Sequence, residues 1–206
     1  MPNPELLLDE DQKDCLQELM NISYGAATAA IAQIIDKFAT LNIPNIKILT
    51  SAEFEEYFTN KFKKYDTYYV TNQNIDGKLN GENMFIMDEK SVINLALEFD
   101  LEEEDLDENE LKDVILEITN IISSTTLSKL ADLINSSVTF APPSVKKINA
   151  SDTLDERYKT EYKHVITIST EIKFEDQNIL GELILMSKEE SIIHLKNELD
   201  KILEEY

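Results

Sequence analysis

The chain has 206 residues, which is enough for one sizeable domain or two small ones with a buried core. Its 41 acidic and 19 basic residues give a formal charge of −22, which disfavours binding to nucleic acid or to an anionic membrane surface. The single cysteine, Cys15, excludes an internal disulfide. Neither a secretory signal nor an apolar run of the roughly 20 residues that a membrane span needs is present, so we expect a cytoplasmic protein.

The first half of the chain predicts a long helix, a short strand, a short helix, two strands and a closing helix. A helical period runs from about Glu10 to Ala39, and its apolar side contains Leu16, Leu19, Met20, Ala27, Ala30, Ile34 and Phe38. The elements that follow are predicted at residues 46–49, 51–58, 65–70, 78–87 and 88–99. Asp76-Gly77 is typical of a hairpin turn and is predicted to join the two later strands.

The second half predicts the same order of elements. A long helix at about 107–134 is followed by strands at 137–148, 164–172 and 179–186 and by a helix at 188–205, and the long helix has Ile115, Ile118, Ile122 and Leu133 on its apolar side. Pro142 and Pro143 predict that the first of these strands is irregular or lies at a sheet edge. The acidic run 102–110 is predicted to lead into the helix N-terminus, where negative charge is favourable.

A polar triplet in the first long helix recurs in the second. The two copies are Asp14, Glu18, Asn21 and Asp113, Glu117, Asn120. A proline stands twenty-three positions after each asparagine, at Pro44 and Pro143. Residues 81–95 also resemble residues 181–195 at an offset of one hundred.

This repetition predicts one domain over residues 1–206, made of two repeats at about 10–100 and 107–206. Because each half offers only about three strands, we expect one pseudo-twofold domain. The predicted fold class is α+β, with an antiparallel or mixed sheet of about six strands covered by the two long motif-bearing helices.

The triplets predict an outward-facing polar site. On a helix, Asp14, Glu18, Asn21 and Gly25 fall together, opposite the apolar side. A carboxylate can anchor a cation, and an amide can hold a water in line with an electrophile, as a glutamine does in GTPases. The alternative is that these residues are only solvated side chains on an outer face, although asparagine is a poor helix former and its double occurrence asks for a reason.

Other chemistry is not indicated by the sequence. It contains no metal-ligand cluster, no glycine-rich phosphate loop and no histidine-based triad, so we interpret His164 and His194 as structural. Cys15 has no histidine nearby in the sequence and is interpreted as a packed or surface thiol. A site of this kind would act on a substrate that is already reactive, and an aspartyl phosphate on another protein fits that description.

The motif Asp-x-x-x-Glu-x-x-Asn with its distant proline resembles the signature of the CheC/CheX/FliY phosphatases of bacterial chemotaxis. Ile22-Ser-Tyr-Gly25-Ala-Ala and residues 141–145 are similar to the family's flanking sequences. Two signatures in one chain are typical of the CheC branch, whereas no room is expected for the additional switch domain of a FliY-like chain. The second copy has Ser124 where the first has Gly25, which predicts that the two sites differ in how a partner approaches.

The resemblance implies hydrolysis of the aspartyl phosphate of a CheY-type response regulator. Asn21 and Asn120 would orient the attacking water, and Glu18 and Glu117 would engage the regulator's lysine. Asp14 and Asp113, with Gly25 and Ser124, would support the partner-binding face. The regulator would supply Mg²⁺, so no cofactor of the chain's own is expected. The family also suggests CheD, a receptor deamidase, as a second partner.

Two alternatives remain open at the level of sequence. The chain could be a binding module of weak activity that sequesters the regulator or CheD. It could also be a structural element of the flagellar switch, which the missing switch domain disfavours.

Overall fold

The computed structural model describes residues 6–35, 39–61, 66–99, 101–149, 161, 164–174 and 179–205. In the first half, the helices and strands are α1 (Glu10–Ile35), β1 (Ala39–Leu41), β2 (Asn45–Thr50), α2 (Ser51–Lys61), β3 (Thr67–Gly77), β4 (Gly81–Asp88) and α3 (Glu89–Glu98). In the second half, they are α4 (Glu108–Leu133), β5 (Val138–Phe140), β6 (Ser144–Asn149), β7 (His164–Phe174), β8 (Leu180–Ser187) and α5 (Glu189–Glu204).

The eight strands form one sheet in which every described pairing is antiparallel. The order is β1-β7-β8-β4-β3-β5, with β2 also on β7 and β6 also on β3. Each edge is therefore built from two short strands that pair in succession with one long strand. The sheet has six rows, as predicted, and both edges are interrupted near their middle.

The main core lies between one face of this sheet and the helices α1, α3, α4 and α5. On α4, Ile115, Ile118 and Ile122 are fully buried. Burial of each such side chain stabilises the fold by about 1.5–3 kcal/mol. A smaller core on the opposite face packs Phe54 and Phe58 of α2 against the sheet. The α+β fold with two long helices over an antiparallel sheet is the predicted one.

Both long helices begin at side-chain caps. Asp9 Oδ1 accepts a hydrogen bond from Gln12 N, and Gln12 Oε1 accepts one from Asp9 N, which is a capping-box arrangement for α1. Asp107 Oδ1 accepts hydrogen bonds from the backbone N–H groups of Asn109 and Glu110 at the start of α4. These caps fix where each motif-bearing helix starts and therefore which residues its outer face presents.

Several predicted details differ from the structure. The first helix ends at Ile35, and Ile34 is 47% exposed, so its placement on the apolar side is wrong. Tyr24 and Ile31 are buried on that helix instead. Phe38 lies outside the described residues. The proposed two-repeat organisation stays a prediction.

The predicted hairpin turn at Asp76-Gly77 is also wrong, because both residues belong to β3. Gly77 has a φ of 119°, and a Cβ there would lie 2.4 Å from the carbonyl oxygen of Ser137. Glycine is thus required where the end of β3 meets β5, and the turn follows at Lys78 and Leu79.

Candidate functional site

The first triplet lies on the exposed side of α1. Asp14, Glu18, Asn21 and Gly25 are all exposed, as their spacing predicts. The side chains of Glu18 and Asn21 form no hydrogen bond or ion pair with the part of the chain that the structure describes. A Cβ added at Gly25 would meet no atom within 4 Å. The fold therefore leaves this face open to a partner.

The second triplet lies on the equivalent outer side of α4. Asp113, Glu117 and Asn120 are exposed, whereas Ser124 is half-buried. The Ser124 hydroxyl donates to the backbone carbonyl of Asn120, at 2.5 Å between the oxygens. Because that hydroxyl bonds to its own helix, Ser124 adds bulk to the face without offering a free donor.

A shallow groove of about 510 Å³ opens beside the second triplet. It is lined by Glu117 and Asn120 together with Gln73, Leu116, Phe140, Ala141, Pro142 and Pro143. Gln73 projects from β3 beneath α4 and is 1% exposed. Its Nε2 donates to the backbone carbonyl of Ala141 at 2.9 Å and to Oδ1 of Asn120 at 3.2 Å. The asparagine of the second motif is therefore held from behind by a buried amide.

The first half has different contacts around its proline. Gln17 Nε2 of α1 donates to the carbonyl of Pro44 at 3.2 Å, and Pro44 is buried just before β2. On β7, the hydroxyl of Thr170 donates to the carbonyl of Asn42 at 2.6 Å. Pro44 and Pro143 each stand one residue before an edge strand, β2 and β6 respectively, so they shape the edges beside the two motifs.

The remaining chemically suggestive side chains are engaged within the fold. His164 Nδ1 lies 2.6 Å from Glu189 Oε1, and His194 Nε2 lies 2.7 Å from Ser136 Oγ. Burial raises the pKa of the Cys15 thiol, which lowers its thiolate fraction at neutral pH. In the described ranges, His, Cys, Asp and Glu residues form no group of three that could hold a metal ion.

The second motif gathers an acid, an amide and an apolar rim. The exposed carboxylate of Glu117 can accept a lysine ammonium, and the amide of Asn120 can both accept and donate hydrogen bonds. The groove is too open to enclose a small substrate but suits contact with a folded partner. Sequence reasoning missed Gln73, because a polar residue gives no sign in the sequence that it faces inward.

An antiparallel sheet carrying two helices with outward acid–amide pairs defines an α+β protein with an exposed polar site beside a shallow groove. The sequence profile described as "Chemotaxis phosphatase CheX" matches residues 69–169. The chain is 29% identical over 131 residues to the "CheY-P phosphatase CheC" of Bacillus subtilis, and that alignment covers 61% of each protein. The match thus spans less than two thirds of that relative.

Solved structures that share the fold include those of FliY and CheX. FliY of Thermotoga maritima superposes with a TM-score of 0.72 at 18% identity, over 95% of this chain and 98% of that one. CheX in its complex with CheY, BeF₃ and Mg²⁺ from Borrelia burgdorferi gives a TM-score of 0.52 at 16% identity, over 81% and 95%. The chain therefore shares the fold of FliY and CheX, and residues 69–169 are similar in sequence to chemotaxis phosphatase CheX. None of the helices in the described ranges is long and apolar enough to cross a membrane.

Proposed function

We propose that this chain hydrolyses the aspartyl phosphate of a CheY-type response regulator and so terminates its signal. The observation that carries the proposal is the outward-facing Glu117–Asn120 pair at the rim of an open groove, with Glu18 and Asn21 exposed on α1. The B. subtilis relative is named a CheY-P phosphatase, and the Borrelia relative was solved bound to CheY.

In this proposal each carboxylate engages a lysine of the regulator. Glu18 and Glu117 are exposed and free of intramolecular partners among the described residues, so binding a lysine breaks no existing ion pair. The charge of −22 makes approach to an acidic regulator unfavourable at long range. Direct lysine contacts at the site offset that repulsion.

Each asparagine then positions the water. Its Oδ1 accepts a hydrogen bond from the water while Nδ2 donates to a phosphoryl oxygen. The water oxygen attacks phosphorus, and the bond between phosphorus and the aspartyl oxygen breaks with its electron pair left on the aspartate carboxylate. Both water protons leave with inorganic phosphate. An amide is not a base, so the gain in rate comes from orientation. The regulator supplies the Mg²⁺ that balances phosphoryl charge.

The test is the decay of a phosphorylated CheY-type regulator mixed with the wild-type chain or with a variant. Asn21→Ala and Asn120→Ala should each remove the acceleration that their own site provides. Glu18→Ala and Glu117→Ala should weaken binding of the phosphorylated regulator. A wild-type chain that leaves the decay rate unchanged would show that the proposal is wrong.

A second function is favoured for the first half of the chain. Among the described residues, Glu18 and Asn21 have no hydrogen bond like the one that holds Asn120 in place, so this site can bind the regulator with weaker catalysis. The first half would then act as a binding module for the regulator or for a CheD-type deamidase. If the Asn120→Ala variant forms a complex with the phosphorylated regulator without faster loss of phosphate from it, this second function is supported.

A further inference from the structure

Gln73 occupies a break in the edge of the sheet. The ladder between β3 and β5 ends at Ile75 and Phe140, and the ladder between β3 and β6 begins at Asn72 and Ser144. Between them stand Ala141, Pro142 and Pro143, and proline has no N–H to donate. At this point the backbone N–H of Ala141 donates to the carbonyl of Asn74 at 3.0 Å, and the side-chain amide of Gln73 adds a hydrogen bond to the carbonyl of Ala141.

The Gln73 amide group has two N–H donors, and both have partners. One is directed to the Ala141 carbonyl, which anchors the proline segment, and the other to Asn120 Oδ1. A carbonyl oxygen carries two lone pairs, so Asn120 Oδ1 retains one acceptor position after binding Gln73. The hydrogen bond also fixes which end of the Asn120 amide is oxygen and turns Nδ2 away from Gln73.

The setting of Gln73 restricts its movement. Gln73 is 1% exposed, and it lies directly opposite Asn83 of β4, which is fully buried. The Oε1 atom of Gln73 and both amide atoms of Asn83 are buried without partners among the described residues. A rotation of the Asn83 amide would let it donate to Gln73 Oε1, since opposite side chains in a sheet are neighbours. If the Gln73 amide were turned over, its Oε1 would face the Ala141 carbonyl and Asn120 Oδ1, which are both acceptors.

We propose that Gln73 is a positioning residue for the second site: it orients the Asn120 amide so that one lone pair of Oδ1 and the Nδ2 donors face the phosphorylated regulator. This inference rests on the proposed phosphatase function and extends it. Gln73 touches neither the water nor the phosphoryl group. It acts through Asn120 by removing the alternative orientations of the amide before the partner arrives.

In the described part of the first half, no side-chain amide donates to Asn21 as Gln73 donates to Asn120. The corresponding break between β1 and β2 lies opposite β7, where Thr170 donates to Asn42. A hydroxyl has a single proton, and that proton is used on the Asn42 carbonyl. Thr170 therefore supplies the anchoring hydrogen bond but has no second donor for Asn21. The two sites have similar motifs but differ in how firmly the amide is held.

The test exchanges these two side chains. An Asn21→Ala background isolates the second site. There, Gln73→Thr should lower kcat by about five- to tenfold, because the variant loses the hydrogen bond that orients Asn120. The KM for the regulator should change little. In an Asn120→Ala background, Thr170→Gln should raise kcat of the first site. In the Asn21→Ala background, Gln12→Thr is the matched control for the second site: Gln12 is also a buried glutamine, but it caps α1 and donates to Asp200, away from the groove.

A second measurement does not depend on turnover. In the full chain without regulator, the side-chain NH₂ resonances of Asn120 should shift on Gln73→Thr and stay in place on Gln12→Thr. If wild type accelerates decay but Gln73→Thr keeps full kcat and leaves these resonances unchanged, the positioning role is wrong. If wild type gives no acceleration while the resonances do shift, the hydrogen bond stands and the phosphatase function fails.

Discussion

Replacing Gly25 by alanine should make the protein more stable. Gly25 lies well inside the 26-residue helix α1, is exposed, and has no positive φ. A glycine in a helix interior is about 1 kcal/mol less favourable than alanine because it loses more backbone freedom on folding. Since a Cβ at this position meets nothing within 4 Å, no steric cost opposes the gain.

The expected increase in the free energy of unfolding is therefore about 1 kcal/mol, or about 2–4 °C in Tm for a chain of this size. Urea unfolding followed by far-ultraviolet circular dichroism measures it. Ser124→Ala is the matched control on α4, where the hydroxyl already bonds to the Asn120 carbonyl. The increase in the free energy of unfolding for Ser124→Ala should be smaller, about 0.5 kcal/mol, because serine is closer than glycine to alanine in helix propensity.

The same variant should lower activity at the first site. Gly25 lies one helical turn from Asn21 on the same exposed face, so the new methyl group enters the surface that a partner approaches. We expect slower phosphate loss in an Asn120→Ala background and no change in an Asn21→Ala background. A loss of stability on Gly25→Ala would refute the reasoning, because it would mean that the face at Gly25 is packed rather than open.

Three further predictions concern the fold and the thiol. Asp107→Ala should lower the free energy of unfolding by about 1 kcal/mol, because the Asp107 side chain caps α4 through two backbone N–H groups; an unchanged urea midpoint would contradict this. Ile115→Ala should lower the free energy of unfolding by about 2–5 kcal/mol, because the Ile115 side chain is fully buried. A decrease of less than about 1 kcal/mol would contradict this and would mean that neighbouring side chains fill the space left by Ile115. Cys15 should react with iodoacetamide more slowly in the native chain than in urea at mildly alkaline pH, because burial raises the pKa of its thiol; equal rates would argue against that burial.

The helices and the exposed motif faces could be predicted because both depend on local spacing. In α1, Leu16 and Met20 are buried while Glu18 and Asn21 are exposed, which follows from a period of 3.6 residues. The interrupted edge strand at Pro142 could be predicted for a similar reason, since proline cannot donate to a ladder. These features need no knowledge of distant contacts.

The extent of β3 and the role of Gln73 could not be predicted in this way. Thr71 and Gln73 are polar residues on the buried face of β3, so they hide the alternation that marks a strand. The hydroxyl of Thr71 forms a hydrogen bond with the hydroxyl of Thr119. The amide of Gln73 donates hydrogen bonds to Ala141 and Asn120. Both partners on α4 lie more than forty residues away in sequence, so only the folded chain brings them together.

The most direct test of the central claim separates binding from chemistry in the double variant Asn21→Ala/Asn120→Ala. Binding to a regulator held in its active state by beryllofluoride should persist, because both glutamates remain. Decay of the phosphorylated regulator in the presence of the variant should return to the regulator's own rate, because no amide is left to position the water. Decay as fast as with wild type would contradict the assignment of catalysis to the two asparagines.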